Sequence, residues 1–223
     1  MPSAEGAISS PGLLLCEGID DFAVILALHQ HLRIDRSVVE IERLQGRGQL
    51  HERLNALPVR DNRRALRTLG IVCDADDVSG VEAFRRVCDD LRNTGYQPPS
   101  SPGQLMRGPW GGGQSLSVGV YAMPDNVAPG VLEDLCLAVI AHDPGLICVD
   151  EYLRCISSAG GISWRGHDQS KARLNSWLAS RADPTLRLGQ AISAGVIPAN
   201  AAQFDRIRRF LSDLAASASE PAR

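Results

Sequence analysis

Lysine is nearly missing from this chain of 223 residues: Lys171 stands alone among 23 basic side chains, the rest being arginine. Aromatic residues are also scarce, at 4%, which argues against a surface built to stack many nucleic-acid bases. No apolar run approaches the roughly 18 residues that a membrane-spanning helix needs. The two near the amino terminus, Gly12–Cys16 and Phe22–Leu28, are separated by the acidic stretch Glu17–Asp21. Neither sign of charge dominates. A net charge of −3 and an isoelectric point near 5.9 exclude a globally basic, DNA-coating protein. They leave room for a nuclease, whose site must be acidic to hold metal. The six cysteines (16, 73, 88, 136, 148 and 155) form no Cys-x-x-Cys pair and show no zinc-like spacing, so all six are expected as reduced core residues. The amino terminus lacks the basic start of a signal peptide, and the expectation is a soluble, cytoplasmic protein without membrane contact.

What is present is enough apolar residue, 44%, to build a sizeable core. Short apolar runs alternate with longer amphipathic ones. Strands are expected at Gly12–Cys16, Val38–Leu44, Leu66–Cys73 and Leu116–Met123. Helices are expected near 20–32, 50–57, 78–91 and 131–141, from apolar residues at helical spacing. Gly95 is placed to end the third helix. Residues 96–115, rich in Pro, Ser and Gly, read as a loop or hairpin arm. From Pro144 the pattern is helical only, near 145–157, 168–180, 186–194 and 200–215. The implied layout is a loose tail over 1–11, an α/β core over 12–143, a helical extension over 144–216 packed on it, and a loose tail over 217–223. The core is expected as a mainly parallel sheet of about four strands flanked by helices.

Ligands of parallel sheets bind beyond the carboxyl ends of the strands, and three expected strands end in acids. The first runs into Glu17-Gly18-Ile-Asp20-Asp21, the third into Asp74-Ala-Asp76-Asp77, and the fourth into Pro-Asp125-Asn126. Crowded carboxylates repel, and a hard divalent cation with oxygen ligands, Mg²⁺ or Mn²⁺, relieves the repulsion. A single strand-end Asp is more often a helix cap, a role that suits Asp20 or Asp77. Gly18 permits a tight turn beside a ligand.

Strand-Glu17-Gly18 followed by a strand ending Asp74-x-Asp76 resembles the Toprim domain of topoisomerases, primases and nucleases of the OLD (overcoming lysogenization defect) type. The segments Glu17–Asp21, Gly70–Asp76, Met123–Asn126 and Leu132–Asp134, with Lys171–Arg173, Trp177–Ala179 and Leu188–Ile192, resemble a group of small bacterial Toprim-like proteins of uncharacterised function. The resemblance spans about residues 12–215. It implies a Toprim-like, Rossmann-like fold. It also implies a metal-dependent nuclease, the effector of a bacterial defence or toxin-like system. By that resemblance Glu17 is a metal ligand or general acid/base, Asp74 and Asp76 bind metal, Asp21 matches the acid four residues after the first-strand Glu, and Lys171 matches a catalytic lysine. Asp125 is carried over as a further ligand from the narrower group, as are Glu133 and Asp134 without an assigned role. OLD-type nucleases work with an ATPase, fused or separate, so the alternative is a non-catalytic or partner-dependent module served by a separate ATPase.

Lys171 has support of its own. A chain that otherwise uses arginine keeps a lysine where a compact point charge meets a phosphate or leaving oxygen, although a random surface lysine fits equally. Arg60, Arg63, Arg64 and Arg67, within an arginine-rich stretch from 43 to 67, are the candidate contacts to DNA or RNA phosphates; a solvated helical face is the bland reading. A phosphatase using Asp74 and Asp76 leaves Glu17-Gly18 unexplained. His29 and His31 make a poor metal pair, and His142 and His167 are isolated. An apolar stripe on the last helix (Ile207, Phe210, Leu211, Leu214) suits burial within the monomer better than homo-oligomer formation.

Overall fold

In a computed structural model, residues 7–46 and 48–220 are described. They form a mixed, mostly parallel sheet of five strands with helices on both faces. The strands are β1 (Gly12–Cys16), β2 (Val39–Arg43), β3 (Thr68–Asp74), β4 (Leu105–Trp110) and β5 (Gln114–Met123), in spatial order β2-β1-β3-β5-β4. The first four in that order run parallel; β4 returns antiparallel on β5. The expected count of four strands therefore rises to five, because the glycine-rich arm folds back as a hairpin. Pro109 in β4 lacks an N–H to donate, and the edge of the sheet is where that loss is tolerated.

Alternation along the strands divides the core in two. Leu14, Cys16, Val72, Tyr121 and Met123 face one side, while Leu13, Leu15, Ile71, Cys73, Val120 and Ala122 face the other. The second face is covered by α2 (Gln49–Ala56) and α3 (Gly80–Asn93). The first carries α1 (Ile19–His31), α4 (Leu132–Val139), α5 (Gly145–Gly160), α6 (Asp168–Ala179), α7 (Leu188–Ser193) and α8 (Asp205–Ser219). The helices after Pro144 thus belong to the core, with Trp177, Phe204 and Phe210 almost fully enclosed. The α8 stripe Ile207, Phe210, Leu211 and Leu214 is buried inside the chain.

Several expectations change. Residues 7–11 and 217–219 are not loose: Ile8, Ser10 and Ala218 are buried, and Thr68 and Ser217 pair through their hydroxyls at 3.1 Å. Residues 1–6 and 221–223 of the expected tails lie outside the described residues. Cys16, Cys73, Cys88 and Cys136 are buried as expected, but Cys148 and Cys155 sit on the exposed side of α5. No helix among the described residues is long and apolar enough to cross a membrane.

α7 packs directly against α1, and Gly189 is the point of closest approach. A Cβ there would lie 2.6 Å from the Ala23 carbonyl oxygen and 2.7 Å from its carbon. Because the obstacle is backbone, Gly189→Ala is expected to destabilise the protein by about 1–3 kcal/mol, read as a lower urea midpoint with unchanged m-value.

Candidate metal centre

The parallel pairing decides what meets what. Cys16 of β1 lies beside Val72 of β3, and Asp74 beside Met123 of β5. Glu17 follows Cys16 directly, so Glu17 and Asp74 emerge from neighbouring strands at the same edge. α1 starts at once after Glu17-Gly18. Its Asp21 folds back to accept the Gly18 N–H at 2.8 Å, and a Cβ on Gly18 would lie 2.9 Å from that carboxylate. Glycine there leaves room for the carboxylate, which any larger residue would push aside. Asp74 in turn accepts the Leu132 N–H at 3.0 Å, at the first residue of α4. Asp134 caps the same helix through the Val131 N–H at 2.8 Å. These bonds satisfy backbone donors that a helix start leaves open. Asp20 and Asp77 are not the N-caps: Gly18 precedes α1 and Ser79 caps α3.

The next residue of α4, Glu133, is buried beside them. Burial and then the neighbouring charges of Asp21, Glu133 and Glu17 push Asp74 up to about 8, against the opposing Leu132 N–H. Burial likewise raises Asp21 to about 6; the Gly18 N–H opposes this, while Glu133, Glu17 and Asp20 add to it. Glu133 is raised by burial and drawn back first by its own backbone N–H and then by Lys171. Four carboxyl groups from β1, α1, β3 and α4 therefore share one low-dielectric edge, with Lys171 near Glu133. The thiols of Cys16 and Cys136, pushed up by burial and by these same acids, stay neutral beneath them.

α6 reaches this edge through one face. His167, just before the helix, places Nδ1 3.7 Å from Asp76, the Ser170 hydroxyl donates to Asp134, and Lys171 acts on Glu133. His167, read from sequence as isolated, is thus at the site, and Glu133 gains a role the sequence left blank. Helical spacing of three and four residues was the signal that could have linked His167, Ser170 and Lys171, but nothing local pointed to their partners.

Other expected residues are placed differently. Asp76 turns through left-handed backbone (φ 54°), with its N–H and C=O both paired to Gly130, a costly conformation for a non-glycine residue. Asp125 spends one carboxylate oxygen on the Val127 and Ala128 N–H groups at 3.0 and 2.8 Å, and the other lies 3.7 Å from Arg206. Neither is among the strongest charges on Asp74. Arg60 stands near the carboxyl end of β2, where its partner Glu42 is level with Leu15 of β1, whereas Arg64 and Arg67 do not flank the acids. Arg60 pairs with Glu42 at 2.7 Å, and Arg63 donates to the Pro58 carbonyl at 2.5 Å. Arg67 donates to the Glu220 carbonyl, and the Arg64 carbonyl accepts from Gln114. Arg64 and Arg67 stand at the amino ends of β3 and β5, across the sheet from the carboxylates.

Carboxylate oxygens, half-buried or buried, are the donors that Mg²⁺ and Mn²⁺ prefer. Among the described residues, however, no three His, Cys, Asp or Glu side chains stand together in ligating geometry. The donor chemistry fits a hard cation; the closed ligand cage is not formed.

Residues 11–216 match the family described as "Protein of unknown function (DUF3226)", and the chain belongs to that family. Neither the search of curated proteins nor that of solved structures finds a match.

An acid raised on folding makes stability fall with pH. Between the unfolded value, about 4, and the folded value of about 8, the folded state holds a proton that the unfolded state has lost. The stabilisation is complete below the lower value and is lost as pH rises through the upper. Asp74→Asn, nearly isosteric and unable to ionise, should match the parent near pH 4 and exceed it by about 5 kcal/mol at pH 8. Urea denaturation across that range is the measurement; parallel pH profiles for the two proteins would refute the charge clustering.

Proposed function

For this member of a family of unknown function, we propose a divalent-cation-dependent nuclease of Toprim type that hydrolyses phosphodiester bonds of DNA or RNA in the bacterial cytoplasm. The observation that supports it is the convergence of Glu17, Asp21, Asp74 and Glu133 at the carboxyl edge of a parallel sheet, with the single lysine beside them. Such an edge is where open α/β sheets place ligands. Strongly perturbed carboxyl groups gathered there are the physical mark of a working site.

Glu17, Asp21 and Asp74 would hold Mg²⁺ or Mn²⁺, which supplies an activated water and Lewis-acid stabilisation of the leaving oxygen. The remaining work falls to the chain. Glu17, at the strand end, takes the proton of the attacking water. Lys171 offsets charge that develops on the phosphoryl oxygens, and its position is held by the Ser170–Asp134 bond on the preceding residue. The N–H groups opening α1 and α4 hold Asp21 and Asp74 in place.

A second reading has its own support. Two of the arginines expected to hold nucleic acid, Arg64 and Arg67, lie at the opposite end of the sheet from the acids, and the metal cage is not closed among the described residues. Both features suit a subunit that borrows affinity and final geometry from a partner, as in a nuclease served by a separate ATPase.

The test is cleavage of plasmid DNA and tRNA with Mg²⁺ or Mn²⁺. Cleavage that Glu17→Gln and Asp74→Asn each lower at least 100-fold, and Lys171→Ala about 10- to 100-fold in kcat, supports the isolated nuclease. Cation binding without cleavage until an ATPase is added selects the dependent module, and neither binding nor cleavage removes both readings.

A further inference from the structure

The amino end of the sheet carries the opposite charge. A pocket of about 200 Å³ opens there between β3, β4, β5 and the carboxyl end of α8. It is smaller than the sites that take drug-sized ligands, which limits its occupant to an ion or a small molecule. Register places Thr68 of β3, Ser117 of β5 and Arg107 of β4 in one row across three strands. Arg64 and Arg67, just before β3, join Arg107 in the pocket wall. The Arg107 guanidinium is steadied by the bond from its Nε to the Ser115 hydroxyl, at 2.9 Å. Arg67 donates one N–H to the Glu220 carbonyl, and the Arg64 guanidinium makes no ion pair among the described residues. Ser117 is only 8% exposed. Its hydroxyl is open to the pocket and has no hydrogen-bond partner among the described residues. Polar groups so nearly buried seldom stay unmatched. Opposing the three arginines is one carboxylate, Glu220, 3.6 Å from Arg107 and itself 61% exposed. A pair so long and so open to water binds weakly.

We propose that this pocket binds a phosphate dianion, free or as the head of a small monoester, in place of the Glu220 carboxylate. The charges select it. Three guanidinium groups against the half-charge at the carboxyl end of α8 leave about +2.5 once Glu220 is displaced. Phosphate, at about −1.5 to −2 near neutral pH, offsets most of that surplus, and a single carboxylate does not. Forked guanidinium groups suit its oxygens, and the Ser117 hydroxyl gains the partner it lacks. The acidic edge is no obstacle. It lies at the other end of β3, seven residues long and so about 20 Å away, beyond the reach of screened repulsion. The site is therefore separate from the carboxylates and does not rest on the nuclease reading.

Calorimetric titration at constant ionic strength compares inorganic phosphate, ribose 5-phosphate and acetate. No divalent cation is added, which keeps anions off the acidic edge. The expected result is phosphate bound at least ten-fold tighter than acetate. Arg64→Ala and Arg107→Ala, both at exposed positions, should each weaken phosphate binding about ten-fold, the scale of one charged hydrogen bond. Ser117→Ala should weaken it about three- to ten-fold. Glu220→Gln, which removes the competing carboxylate, should tighten it about three-fold. Ribose 5-phosphate bound within ten-fold of phosphate makes the natural occupant a small monoester; weaker binding makes it the free ion. No phosphate binding, a preference over acetate below ten-fold, or indifference to both arginine variants overturns the site. Circular dichroism checks the fold of each variant. Only Ser117→Ala alters a buried position, and the surface variants decide the matter without it.

Discussion

Negative charge buried at one end of a parallel sheet is the constraint on which the rest of the structure depends. Because β1 and β3 run in the same direction, their carboxyl ends share an edge, and the register brings Glu17 and Asp74 out side by side. α1 and α4 then add Asp21 and Glu133 and close over them. Three agents can balance such a cluster: backbone N–H groups, protons and cations. The N–H groups at Gly18 and Leu132 serve Asp21 and Asp74, but they do not suffice, since burial and mutual repulsion still push Asp74 up to about 8. At neutral pH the proton wins on Asp74 and Lys171 works on Glu133. A divalent cation would compete for the same negative charge and would release the proton it displaces.

The C-terminal helices take on a different meaning in that light. α6 contributes Leu174, Trp177 and Leu178 to the core, and the opposite end of its buried side faces the acids. His167, Ser170 and Lys171, followed by Leu174, fall at positions that share a helical face. The same surface that anchors α6 on the sheet therefore aims one imidazole, one hydroxyl and one ammonium at Asp76, Asp134 and Glu133. Packing and site geometry are one requirement here, so a lysine at position 171 is placed by burial three residues later.

Much of this was legible in the sequence because it is local. Alternating apolar residues mark β1 and β3, and strand-end acids follow from where those strands stop, so Glu17, Asp21 and Asp74 could be gathered before any coordinates. β4 was only half legible: residues 96–115 suited a loop or a hairpin arm alike, and only pairing with β5 makes a strand of a segment with Gly108 and Pro109. Glu133 had no role that the sequence could assign, and only the fold reveals that it is buried among other acids. Arg64 and Arg67 misled because closeness in sequence is not closeness to a site. The crossover that carries the chain from α2 back to β3 delivers Arg67 to the amino end of the sheet, where it meets Glu220. Cys148 and Cys155 look as apolar in context as the other four, yet they fall on the outward side of α5.

The separation of charges also orders the events of any reaction on a polyanion. A phosphodiester approaching the acidic edge meets four carboxyl groups and one ammonium, and like charges in a poorly solvated setting repel strongly. The basic side chains at the far end of the sheet are too distant to compensate through salt-screened solvent. On the proposed nuclease reading, affinity for nucleic acid would therefore come from the cation or from another protein. The cation would act only on a substrate already at the edge, which would favour a short or frayed end over the middle of a duplex. A partner that grips the duplex elsewhere would lift that restriction.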